Sequence, residues 1–228
     1  MIFFFAIYFL TNLLISSDYS QDDKNSEILF NLLEDNKDWV IINKEEDISL
    51  FTKQVPGHDI YAIKISQIIS IPLEIIQNII MDVDNYESVL SNADGLISNS
   101  ESITDSLVIA YQFIPIDLPF FDDRHYYFEL KKSDLSFNKK QTLVKWNLID
   151  KNLFNKDRNS LNTIYLKYGA GIWMAEKDEF DNILLSYRIF MDPSGSIPDF
   201  IIDKINEISI VNLFTDVLIE AEKRVNKK

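Results

Sequence analysis

The chain has 228 residues, 22 basic and 36 acidic, for a formal net charge of −14, with two histidines and no cysteine. Apolar residues make up 46% and charged residues 25%, the balance of a globular protein rather than a disordered or fibrous one. Without cysteine there is no disulfide scaffold, iron–sulfur cluster, thiolate zinc site or cysteine nucleophile, and the acidic excess repels phosphates, which excludes electrostatic binding of nucleic acid.

Residues 2–15 (IFFFAIYFLTNLLI) are nearly all apolar and lead into Ser16, Ser17 and Asp18. They read as an export signal spanning residues 1–17, which directs the mature protein to a periplasmic or secreted location; an uncleaved membrane anchor is the alternative. As a helix the stretch reaches ~21 Å at ~1.5 Å per residue, short of the ~30 Å hydrocarbon core of a bilayer. Residues 18–25 form a polar linker, and residues 26–228 are the right length for one domain.

Ser26 is placed to cap a first helix, in which Ile28, Leu29, Leu32 and Leu33 recur at helical spacing up to about Asn36. From Trp39 to Ile69 the period becomes two: Ile48 and Leu50, then Tyr61, Ile63, Ile65 and Ile69, divided by the turn Pro56-Gly57-His58. Pro72 opens a second helix with Ile75, Ile76, Ile79 and Ile80 on one face, ending near Asp84. Beyond Tyr86 strands are predicted through Leu107–Phe113, Asp122–Lys131, Thr142–Ile149, Thr163–Met174 and Ile183–Met191. Strands that follow one another without helical crossovers pair antiparallel.

From Pro198 onward neither Gly nor Pro interrupts the chain, so one helix of ~40 Å is expected. It carries two apolar stripes, Ile197, Ile201, Ile205 and Ile208, then Ile210, Phe214, Val217, Leu218, Ala221 and Val225. An apolar arc this wide must be covered by more than one surface, as by a curved sheet wrapped around the helix. Part of the arc either packs as ordinary core or faces a cavity that an apolar ligand fills.

Residues 184–204 (LLSYRIFMDPSGSIPDFIIDK) run from a strand through Asp192-Pro193-Ser194-Gly195 to Ile197-Pro198 and Phe200. This resembles the end of the START (steroidogenic acute regulatory protein-related lipid transfer) family, whose last strand passes through a D-P-x-G-x-[IL]-P-x-[WF] turn into the C-terminal helix. Leu118-Pro119, Asp123-Arg124 and the aromatic run Tyr126, Tyr127 and Phe128 resemble the family's proline-rich turn and the strand after it. Asp47 to Phe51, Pro72 to Asp82 and Gly171-Ile172-Trp173 resemble its early strand, inner helix and penultimate strand. The resemblance spans about residues 26–225. It implies an α+β helix-grip fold, in which a curved antiparallel sheet and the long C-terminal helix enclose a hydrophobic cavity. A monomer that binds a lipid or sterol-like molecule without chemistry, with transient membrane contact and no cofactor, is the corresponding expectation. Each CH₂ of such a ligand gains ~0.8 kcal/mol on burial. An enzyme of the wider superfamily, cyclase or hydrolase-like, and a ligand-free interaction module are the alternatives.

Candidate lining residues are Tyr111, Phe113, Arg124, Tyr126, Phe128, Trp146, Tyr168, Met174, Tyr187, Ile205, Ile208 and Phe214, each also eligible as plain core. Alternation on the strand after Phe121 puts Arg124, Tyr126, Phe128 and Leu130 on one face and His125, Tyr127, Glu129 and Lys131 on the other. A cation on the more apolar face needs a partner, either Asp122 or Asp123 as a structural bridge or the polar head of a ligand. Arg188, with Ser186 and Phe190, is read as facing water. Gly195 is either a hinge that lets the helix shift or a turn residue of positive φ. Asp82, Asp84 and Glu87 lack the full calcium-loop spacing and read as a solvated helix end. His58 and His125 read as surface residues. With no G-x-S-x-G, H-E-x-x-H or P-loop, no catalytic or metal-binding residue is assigned.

Overall fold

The computed structural model describes residues 25–45, 47–91, 93–116, 121–135, 139–150, 163–195 and 199–227, with backbone alone for 102, 103 and 199–208. The proposed signal at 1–17 and most of the linker lie outside the described residues. Helix α1 spans 25–34 and precedes strands β1 (Val40–Glu45), β2 (Ile48–Gln54) and β3 (Tyr61–Ile69). Helix α2 (Leu73–Met81), a 3₁₀ turn (Val83–Asn85) and the short helix α3 (Tyr86–Val89) come next. Strands β4 (Ile97–Ile103), β5 (Leu107–Ile114), β6 (Asp123–Lys132), β7 (Lys140–Ile149), β8 (Thr163–Tyr165), β9 (Gly169–Lys177) and β10 (Ile183–Met191) lead to helix α4 (Asp199–Asn226). Among the described residues no helix is long and apolar enough to cross a membrane.

The strands form one sheet in the order β1-β2-β3-β10-β9-β7-β6-β5-β4, so the last strand closes against the third. Every pairing along this path is antiparallel. Bulges at Ile41/Asn43, Ser100/Ser102 and Thr142/Val144 add the local twist that lets so wide a sheet bend. The strand expected over Thr163–Met174 divides in two. β8 pairs parallel with the start of β6, β7 pairs with the remainder of β6 from Tyr127 onward, and the chain then crosses to place β9 between β7 and β10. Strands β1 and β4 lie at the two edges.

The central strands of the sheet are buried on both faces, which creates two cores. On the concave face α2 and α4 pack over Ile63, Ile65, Phe128, Trp146, Trp173 and Tyr187, with Phe214 fully buried. Buried Gln77 of α2 donates Nε2 to the carbonyls of Ser133 (2.8 Å) and Leu143 (2.9 Å), so its amide is satisfied where an unpaired one would be costly. On the convex face α1 packs Leu29 and Leu33 against Ala62, Ala170, Ile172, Met174 and Phe190.

A group of cations holds the end of α1. Its last carbonyls have no partner within the helix, and side chains from the sheet supply donors. Arg188 donates Nη1 to the Leu33 carbonyl (2.8 Å) and Nη2 to Glu176 (3.0 Å). Lys53 reaches the carbonyls of Leu32 (2.8 Å) and Asp35 (3.1 Å), and Lys140 that of Glu34 (3.0 Å). Positive charge at a helix C-terminus is favourable in its own right. Arg188 is therefore 1% exposed and not turned to water, contrary to the sequence expectation. Ser26 lies inside the first turn of α1, not at its cap.

Removing Arg188 takes the buried cation away from Glu176 and from the Leu33 carbonyl. Arg188→Ala is expected to lower the unfolding free energy by about 3 kcal/mol, measured by urea titration, and to expose α1 to proteolysis before the rest of the domain.

Lys64 lies beside this cluster, its ammonium 4.0 Å from the centre of the Phe51 ring and 5.1 Å from that of Trp39. Burial lowers its pKa from the ordinary 10.5 to about 8; neighbouring Arg188 and Lys53 push the same way, while Glu176 opposes them. The unfolded chain then holds this proton more tightly than the folded one, so the penalty is complete below pH 8 and fades as pH rises toward 10.5. Lys64→Met is expected to be more stable than wild type at pH 7, with the difference shrinking between pH 8 and 9.5 in parallel urea titrations.

Candidate functional site: an apolar cavity under the C-terminal helix

A cavity of about 470 Å³ lies between the concave face and α4. Its wall is built by alternation. β6 contributes Arg124, Tyr126, Phe128 and Leu130, β10 contributes Tyr187, Ile189 and Met191, and β5 contributes Gln112 and Ile114. Trp146 and Trp173 come from β7 and β9, and Ile79, Ile80, Tyr86 and Val89 from the α2–α3 segment. α4 closes it with Asn212, Leu213, Asp216 and Val217, while Leu96, Pro115, Ile116, Phe121 and Pro193 line it from the loops.

Gly171 sets the shape of the wall. It pairs across strands with Trp146, and a Cβ built on it would overlap the Trp146 indole nitrogen. The indole therefore lies flat over β9 and donates Nε1 to the Tyr187 hydroxyl at 3.1 Å. Tyr187 stacks on Trp173 at 4.5 Å between ring centres, and Trp173 stacks on Phe214 at 5.6 Å. The stack runs from the sheet to α4 and props the two apart.

Polar groups in the wall are mostly held by the protein. Tyr126 donates its hydroxyl to Gln112, whose Nε2 donates to Ser98 at 2.9 Å. Tyr86 donates to the Ile80 carbonyl. Burial, reinforced by the neighbouring tyrosines, raises the pKa values of Tyr86 and Tyr126; burial also raises that of Tyr187, against the opposing hydrogen bond from Trp146. All three stay neutral at ordinary pH. Arg124 donates Nε to the Pro193 carbonyl and Nη2 to that of Ser194, both at 3.3 Å, and Nη1 to the Asp122 carbonyl. Its main partners are thus backbone carbonyls of the turn before α4; Asp122 and Asp123 act on it through their charge. Asp216 accepts from the Ser91 amide (2.8 Å) and hydroxyl (2.9 Å), which ties α4 to the end of α3. Asp84 accepts from the Ser100 amide and hydroxyl, both at 2.6 Å, and so ties this solvent-exposed helix end to β4.

Of the residues nominated from sequence, Arg124, Tyr126, Phe128, Trp146 and Tyr187 stand in the wall. Phe214 is buried behind Trp173. Tyr111 and Phe113 do not line the cavity, because the register sets Gln112 opposite Tyr126 and Tyr111 opposite Tyr127; residues opposite one another share a face. Tyr111 packs on Tyr127 and His125. Met174 belongs to the convex core, since the neighbouring Trp173 takes the concave side. Tyr168 stacks on His58 at 5.2 Å on the same convex side. His125 is 4% exposed among Tyr111 and Tyr165, and His58 is half-buried, so neither histidine is a plain surface residue. The Ile205 and Ile208 side chains lie outside the described residues. Gly195 has φ +80°, and a Cβ there would stand 2.9 Å from Ile164 Cδ1, the geometry of the turn alternative. Sequence reasoning missed Gln112, Tyr86 and Trp173; the β5–β6 register that places the first is set only in the tertiary structure.

No protein-family model matches the chain, and no curated protein matches it in sequence. Solved structures do match. The STAR-related lipid transfer protein of Xanthomonas axonopodis is 14% identical at a TM-score of 0.65, covering 82% of this chain and 99% of that one. Human STARD10 is 12% identical at 0.69, covering 90% and 82%. The Zhui aromatase/cyclase from Streptomyces sp. R1128 is 11% identical at 0.50, covering 72% and 94%. The chain thus has the helix-grip fold of the START-related lipid transfer domains, in agreement with the resemblance found in the sequence.

Gly171→Ala should force the indole of Trp146 out of its place. A loss of about 2 kcal/mol is expected from overpacking, together with a shifted tryptophan emission maximum; an unchanged spectrum and stability would contradict the packing described.

Proposed function

We propose that the protein is a noncatalytic carrier or sensor that encloses one lipid-like apolar molecule between the sheet and α4. The observation that carries this reading is the cavity itself. About 470 Å³ falls within the ~300–1,000 Å³ typical of small-molecule sites, and its wall is chiefly aliphatic and aromatic. Burial of an alkyl or ring system there is favourable by ~0.8 kcal/mol per CH₂, with lost ligand freedom opposing it.

The lipid transfer named for the solved relatives supports the same reading; the cyclase among them supports the alternative of an enzyme. Acid–base chemistry needs a titratable pair converging on the substrate. Among the described lining residues the ionisable groups are neutral tyrosines, Arg124 bound to carbonyls and Asp216 bound to Ser91, an arrangement that favours binding over turnover. The apolar segment at residues 2–15 supports a site of action beyond the cytoplasmic membrane, or on it.

Native mass spectrometry of the purified protein, followed by organic extraction, is expected to show one apolar molecule bound per chain. Leu213→Trp, which places an indole in the cavity, is expected to weaken affinity for an added lipid about tenfold, equivalent to ~1.4 kcal/mol. An empty protein that takes up no added lipid would end the proposal.

A further inference from the structure

Among the buried tyrosines of the wall, one hydroxyl is used differently from the others. A tyrosine hydroxyl has one hydrogen to donate and lone pairs to accept with. Tyr126 and Tyr86 both spend their hydrogens, on Gln112 and on the Ile80 carbonyl. Tyr187 is used the other way round: its oxygen accepts from Trp146 Nε1 at 3.1 Å, and among the described residues no acceptor takes its hydrogen. The ring is fixed by its stack on Trp173, the residue is 3% exposed, and it lines the cavity. A buried hydroxyl whose hydrogen has no acceptor is costly. Accepting from the indole also polarises the O–H and makes it a better donor.

The charged groups of the wall give the complementary half of the argument. Arg124 is spanned by the carbonyls of Asp122, Pro193 and Ser194, and Asp216 is engaged twice by Ser91. Three of the five N–H groups of Arg124 are thus committed to the protein, and so are the Asp216 bonds to Ser91. An ionised headgroup drawn into this cavity would lose its water and meet an Arg124 already held by three carbonyls.

We infer that the ligand is an uncharged lipid carrying one hydrogen-bond acceptor oxygen, a carbonyl, ester or hydroxyl, which takes the Tyr187 hydrogen while its apolar remainder fills the space along α4. This rests on the carrier reading and narrows it: Tyr187 selects neutral oxygenated lipids over both bare hydrocarbons and anionic ones. Trp146 acts as a positioning residue, holding the hydroxyl so that its hydrogen points into the cavity.

The test uses three probes of one chain length, methyl laurate, dodecane and laurate at pH 8, titrated into delipidated protein and followed by tryptophan emission. Wild type is expected to prefer methyl laurate over dodecane by about fivefold, the worth of one net hydrogen bond, and to bind laurate more weakly than the ester. In Tyr187→Phe the ester-to-alkane ratio should fall to about one. The ester carbonyl stretch of bound methyl laurate should lie at lower wavenumber in wild type than in hydrocarbon solvent, a readout that needs no variant to fold. Equal binding of ester and alkane by wild type, or laurate as the tightest probe, would overturn the inference and leave the carrier reading standing. Binding of none of the three would remove both.

Discussion

Every second residue of β9 and β10 faces a different core, and the rest of the molecule follows from this pleat. On one side Gly171, Trp173, Tyr187 and Ile189 look toward α4; on the other Ala170, Ile172, Met174, Arg188 and Phe190 meet α1. A central strand buried on both faces cannot slip by one position without exchanging the two sets. The aromatic stack, the cavity and the cation cluster are therefore locked in one register. Within it Gly171 gives up its side chain so that Trp146 can lie across the strand and meet Tyr187.

The two faces treat polarity in opposite ways. The convex face buries Arg188 and Lys53 and uses them to finish a helix whose last carbonyls would otherwise be unpaired. The concave face ties its charges back to the protein, Arg124 to the turn before α4 and Asp216 to Ser91. What remains facing the space is apolar surface with a few hydroxyl and amide groups. A cavity of this kind rewards a guest that brings carbon and little charge, since an ion desolvated there would meet charged groups already bonded to the protein.

Much of the architecture was legible from periodicity. The α2 helix, the long α4 helix, the alternation of β6 and the turn around Gly195 are local properties, each decided by residues within a few positions of one another. The fold resemblance drawn from the D-P-S-G turn agrees with the solved structures that share the helix-grip fold. The candidate site was legible in part. Arg124, Tyr126 and Phe128 fell on one face because a single strand carries them. Tyr111, Phe113, Tyr168 and Met174 were nominated for their bulk, and bulk does not say which face of a sheet is concave. That depends on the register between β5 and β6 and on which side α4 lies.

The same division holds for the polar residues. Sequence alone determined that Arg188 shares a strand face with Phe190 and that Arg124 must find a partner on an apolar face. Only the tertiary structure decided who those partners are: Leu33, 155 positions away, and the Pro193 and Ser194 carbonyls, 69 and 70 positions away. The physical reason is the range of the interactions. Pleat and helical period act between near neighbours along the chain, whereas burial, register and hydrogen-bond satisfaction are settled between segments that meet only when the sheet has closed.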